Sequence, residues 1–183
     1  MICLTLEKSY QCDRDCLHSQ PYTCVFDLTL ETLKTDADGR RADGRLRSIL
    51  AFNRTNPGYE GVTMPGPPIV ICEGDKLVVN NILGEMTNID GSTNTTTLHF
   101  HGIREIGRPW SDGVPYVSQC PLNPKESFQY GFNTVINGGP AGTYWYHSHV
   151  GSKRPNGAYG PTRDNNFITI PKFDFLKSIV ENG

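Results

Sequence analysis

No stretch of this 183-residue chain approaches the roughly 18 consecutive apolar residues that a membrane-crossing helix needs, so no membrane span is expected. The opening MICLTLEKSY has neither a basic start nor an apolar run of about 7 to 15 residues, so no signal peptide is visible. The sequence is therefore expected either to begin inside a longer protein or to lack its first residues. A charge excess of one sign is also missing: 17 Lys and Arg stand against 19 Asp and Glu, for a net charge of -2. The one cationic cluster, Arg40, Arg41, Arg45 and Arg47, alternates with Asp36, Asp38 and Asp43 and reads as a solvated loop. No nucleic-acid surface is implied. Long 3.6-residue periodicity, internal repeats, low-complexity tracts and signs of a second domain are absent too, which leaves one domain of ordinary size with a real core.

Cysteine is plentiful. Six residues (Cys3, Cys12, Cys16, Cys24, Cys72 and Cys120) favour an oxidising compartment, and the crowding of three between positions 12 and 24 predicts a disulfide-tied N-terminal segment. Six cysteines allow about 15 complete pairings, so connectivity is not readable. The expectation is bonding among Cys12, Cys16 and Cys24 with Cys72 as a partner. Two glycosylation sequons, Asn53-Arg54-Thr55 and Asn94-Thr95-Thr96, point weakly toward a secreted, extracellular protein.

Apolar residues recur with period 2 in several short runs, the signature of half-buried strands. In VFDLTLETL, Phe26, Leu28 and Leu30 share a face, and in SFQYGFN, Phe128, Tyr130 and Phe132 do. LRSILAF (46–52), PIVIC (68–72), KLVVNN (76–81), TTLHFH (96–101), GTYWYHSH (142–149) and NFITI (166–170) read the same way. Turn signals such as NPGYEG, MPGPP, NIDGS and NGGPAG separate them. With 19 Gly and 13 Pro, the pattern predicts an all-β fold, an antiparallel sandwich or Greek-key barrel. The tail FDFLKSIVENG is consistent with one or two helical turns.

Two pairs, His99-x-His101 and His147-x-His149, use four of the five histidines, where roughly 0.1 such pairs are expected by chance. Residues i and i+2 of a strand point to one face about 6.6 Å apart. That spacing is awkward for one tight tetrahedral ion. Two adjacent strands so equipped can instead offer four imidazoles to two or three metals a few ångströms apart, converging on one rim of the sandwich. Imidazole-only ligation suits copper, zinc, iron or nickel, and ligand type alone does not choose. The alternative is four hydrogen-bonded histidines with a structural role only. His18, in polar CLHSQPY, reads as a surface residue.

The segments MPGPPIVICEGDKLVVNN, TTLHFHGIREIGRPWSDGVPYVSQCPL and AGTYWYHSHVG together resemble the first cupredoxin domain of laccase-like multicopper oxidases, closest in style to the arthropod group. The resemblance covers residues 60–160 and implies a cupredoxin-like Greek-key β-sandwich over residues 24–171, between a Cys-containing segment (1–23) and a tail (172–183). By that resemblance His99 would bind a type 2 copper, and His101, His147 and His149 the type 3 pair of a trinuclear cluster that reduces dioxygen to water. Asp112 matches the acidic residue such enzymes hold near the cluster to help supply protons; its plain reading is a turn-forming residue before Gly113. Trp145, Tyr144 and Tyr146 read as sheet-packing aromatics rather than electron carriers.

Departures from the family are equally informative. No Cys neighbours a His, so no type 1 copper site can be drawn, and only four of the family's eight cluster ligands are here. The implied partners are the C-terminal cupredoxin domains of the same protein, dioxygen, and a phenolic, aromatic-amine or metal-ion reductant. The chain by itself is expected to be inactive. Phe100 stands where the family usually has Trp, and the polar PTRDNN breaks the strand expected after the Asn156-Gly157 turn. Cys120 matches a cysteine that the family pairs outside this domain and is expected to be free. Two other readings remain: a truncated, non-catalytic copper-binding cupredoxin domain, and a dizinc hydrolase with Asp112 as the nearest carboxylate.

Overall fold

Alternation of apolar and polar side chains gives each strand one face to bury, and two sheets close over one another to bury it. In the computed structural model, residues 8–9, 12–16, 18–35, 46–58, 60–83, 94–105, 107–134 and 143–164 are described. The strand expected at 166–170, the C-terminal tail, Cys3 and most of the charged loop lie outside them. One sheet holds β1 (Lys8–Ser9), β2 (Thr23–Thr35), β3 (Arg47–Arg54), β4 (Gly61–Thr63), β6 (Lys76–Leu83) and β8 (Ser127–Asn133), in the order β4-β3-β2-β6-β8 with β1 beside β2. The other holds β5 (Ile69–Ile71), β7 (His99–His101), β9 (Thr143–His147) and β10 (Tyr159–Asp164), in the order β5-β10-β9-β7. The expected all-β sandwich is therefore present. Among the described residues no helix is long and apolar enough to cross a membrane.

The core sits where alternation puts it. Phe26, Leu28 and Leu30 of β2, Leu77 and Val79 of β6, and Tyr130 and Phe132 of β8 are all buried. From the second sheet Phe100 packs edge-on against Phe132 (ring centroids 5.1 Å apart), and Tyr146 against Phe52 (5.2 Å). Phe100 is fully buried against Tyr130 and Phe132.

Two expectations need correction. The sandwich is mixed rather than antiparallel: β2 pairs with β6, and β5 with β10, in parallel. Nor does the polar run after the Asn156-Gly157 turn break the strand. Tyr159–Arg163 pair with β9, and Thr162–Asp164 pair with β5. The reason is that neighbours on both sides supply the ladder, so apolar side chains are not required throughout. Pro161 precedes the residues paired to β5, and Gly160 leaves room for the Tyr146 ring, which a Cβ there would strike.

At the N-terminal end two disulfides, Cys12–Cys24 and Cys16–Cys72, staple the opening segment to β2 and to the turn after β5. Asp75, fully buried, is held beside them. Its carboxylate accepts from both terminal nitrogens of Arg14 (2.8 and 2.6 Å) and from the backbone N–H of Tyr22 (2.8 Å) and Cys72 (2.9 Å). Cys120 is free and exposed.

Candidate metal centre

Strands β7 and β9 pair antiparallel with His99 opposite His147, Phe100 opposite Tyr146 and His101 opposite Trp145. Since Phe100 and Tyr146 point into the core, the alternate residues His99, His101, Trp145 and His147 share the outward face. The imidazoles thus meet on the face of the four-stranded sheet turned away from the core, at its β7 edge. His149 lies two residues past the end of β9, and its ring centroid is 5.3 Å from that of His99 and 5.7 Å from that of His147. His99 and His147 are 5.4 Å apart by the same measure, and His99 and His101 5.6 Å. Ligand nitrogens of His99, His101 and His147 all lie within 4.8 Å of one another.

Backbone carbonyls set two of the tautomers. His99 Nδ1 lies 2.6 Å from the Asp112 carbonyl oxygen, and His147 Nδ1 2.8 Å from that of Ser148. A carbonyl only accepts, so each Nδ1 carries the proton and each Nε2 keeps its lone pair. The His147 Nε2 is buried with no hydrogen-bond partner. A buried acceptor left in that state costs about 1–3 kcal/mol unless something fills its lone pair. A soft or borderline cation does so, and neutral imidazoles ordered through Nδ1 are the donor set copper or zinc takes. The residues therefore fit a bound metal.

The His147 pKa is lowered to about 4, first by burial, then by the charges of His99, Arg154 and His149, against the opposing pull of the Ser148 carbonyl. Its ring stays neutral and able to ligate across the physiological range. Asp112 reaches His99 twice, through its carbonyl and through Oδ1 at 3.3 Å from Nδ1. Gly113, at φ +74°, makes that approach possible, because a Cβ there would collide with the Leu98 carbonyl. Beside Asp112 opens a cleft of about 530 Å³ lined by Glu105, Pro109, Trp110, Asp112, Val117 and Ser118. Glu105 has a pKa raised to about 7, chiefly by burial and further by Asp112, with Oε1 buried and unpartnered. Sequence reasoning passed over Glu105, for which spacing carries no signal. Trp145, two residues before His147, packs on the histidine face.

The fold is that of the cupredoxin-like multicopper oxidases. A laccase from Botrytis aclada superposes with a TM-score of 0.61 at 30% identity, covering 90% of this chain and 28% of that one. A multicopper oxidase from Pseudomonas thermotolerans does so at 0.58 and 30%, covering 79% of this chain and 30% of that one. The multicopper oxidase family profile matches residues 43–165, more than half of the chain, and the protein belongs to that family. Among curated relatives, multicopper oxidase MCE of Talaromyces pinophilus is 45% identical over 96 residues, which is 52% of this chain and 14% of the relative. Laccase-5 of Trametes versicolor is 39% identical over 138 residues, 75% of this chain and 23% of the relative. The chain thus spans less than a quarter of the length of either relative.

Proposed function

We propose that this chain is the first cupredoxin domain, residues 24–171, of a secreted laccase-like oxidase of the arthropod type. In that reading His99 serves a type 2 copper, and His101, His147 and His149 serve a type 3 pair. Copper held there would supply one-electron chemistry toward dioxygen. The chain's own contribution is to hold neutral imidazoles at fixed orientation and, through Asp112, to keep a carboxylate beside His99 for proton delivery. The observation that carries the reading is the convergence of His99, His101 and His147 nitrogens within 4.8 Å, with the His147 Nε2 buried and unpartnered.

Four ligands are half of a three-copper site, and a C-terminal cupredoxin domain of the same protein would complete it. Exposed Trp110, Tyr116 and Val117 beside the Asp112 cleft offer such a domain an apolar landing strip. The two disulfides support a secretory route. Phenols, aromatic amines or reducing metal ions are the proposed electron donors, oxidised near a type 1 copper that no residue here can hold, since no Cys neighbours a His.

A second reading is a copper-binding domain without turnover, since the nitrogens of His99, His101 and His147 converge within this chain alone. Oxygen consumption by the copper-loaded 183-residue chain with a phenolic substrate tests both. No turnover and no intense blue band are expected. Sustained turnover would contradict the ligand assignment, and metal analysis showing zinc in preference to copper would favour a hydrolytic centre.

A further inference from the structure

The three ring-bearing ligands of β7 and β9 are not held alike. His99 and His147 each donate an Nδ1–H to a backbone carbonyl, whereas among the described residues the His101 ring makes no hydrogen bond. His101 is also exposed, so solvent alone would leave its χ1 and χ2 free. Its nearest ring neighbour is Trp145, with the rings of His99 and His147 farther off at 5.6 and 5.7 Å. The indole sits directly opposite His101 in the β7–β9 register, with ring centroids 4.9 Å apart and planes tilted by 33°. The same indole lies 4.3 Å from the His147 ring, again at 33°. The Arg154 guanidinium lies over it at 5.7 Å, a cation–π contact that helps hold the indole itself.

We propose that Trp145 is a positioning residue for the metal centre: its indole orders the His101 imidazole, replacing the backbone hydrogen bond that orients His99 and His147. The role rests on the copper reading above and requires no electron transfer through the indole. An imidazole ordered before binding loses less rotamer entropy when it ligates, so packing that restricts His101 appears as affinity. Face and edge contacts between aromatic rings are worth enough to change a binding constant by about three- to tenfold. His147, already fixed through Ser148, depends less on the indole than His101 does.

The test begins without metal. In the isotope-labelled 183-residue chain, side-chain relaxation of the His101 ring should report an ordered imidazole. Trp145→Ala should release it while the His147 ring stays ordered, and Trp145→Phe should restore most of the order. Trp145→Leu keeps apolar bulk without an aromatic face and serves if the Ala variant fails to fold. Titration with Cu(II) should then show about three- to tenfold weaker binding for Trp145→Ala, near wild-type binding for Trp145→Phe, and no further loss when Trp145→Ala is added to His101→Ala. An unchanged His101 ring in Trp145→Ala, or an equal loss of affinity with and without His101, would overturn the proposal. A wild-type chain that binds no copper while Trp145 still orders His101 would sink the copper reading and the positioning role with it, leaving packing alone.

Discussion

Two places in the described sandwich handle buried polar groups in opposite ways. Around Asp75 the account is closed: its oxygens accept from Arg14, Tyr22 and Cys72, and two disulfides lock the elements that supply those donors. Around His147 it is open, with Nδ1 bonded to Ser148 and Nε2 buried with no partner. A fold that satisfies a carboxylate four ways at one place does not lack the means to satisfy an imidazole at another. The contrast sets an Asp75 cluster satisfied within the chain against a histidine face with a nitrogen left over, as the copper reading proposed above requires.

That contrast predicts unequal costs. The largest stability loss should come from Asp75→Ala, which removes a buried carboxylate that accepts from Arg14, Tyr22 and Cys72: about 3–5 kcal/mol, read from denaturant midpoints. Removing the Cys16–Cys72 bridge, which closes a loop of 56 residues, should cost about 2–4 kcal/mol by the same measurement. His147→Ala should do far less harm to the metal-free chain, since it removes an unsatisfied atom along with its packing. A loss as large as that of Asp75→Ala would show the histidine face to be structural after all.

Acid should sharpen the comparison. The His147 pKa is about 4 in the folded chain against 6.5 for the free group, so the unfolded chain binds the extra proton between those values. This group's contribution is complete above about pH 6.5 and is lost as pH falls toward 4. Glu105 runs the other way. Its folded pKa of about 7 lies above the ordinary 4.5, so its contribution is complete below 4.5 and is lost as pH rises through 7. Glu105→Gln should therefore steepen the loss of stability between pH 6.5 and 4.5, and His147→Ala should flatten it. Thermal melts across that range read both, and a wild-type slope in both variants would contradict the assignment.

Much of this was legible in the sequence, for a physical reason. Period-2 alternation is local, so β2, β8 and β9 and the shared face of His99 and His101 could be read directly, whereas β9 ends at His147 and leaves His149 outside the strand expected to carry it. The crowding of Cys12, Cys16 and Cys24 announced a disulfide-tied segment with Cys72 as partner, and the structure bears this out. What could not be read is what depends on distant backbone. The carbonyls that orient His99 and His147, the burial that separates His147 from exposed His101, and the two-sided pairing that makes a strand of polar residues 159–164 all arise only once the sheets close. Glu105 acquires its raised pKa in the same way.

The central claim is that the outward face of β7 and β9 is a copper site made of imidazole nitrogens. Pulsed electron paramagnetic resonance on the 183-residue chain with one equivalent of Cu(II) tests it most directly, because hyperfine couplings count the nitrogens bound. Couplings from at least three imidazoles are predicted, lost when His101 and His149 are both replaced by Ala while the sandwich stays folded. Copper bound with oxygen-dominated couplings, or bound equally well by the double variant, would contradict the account.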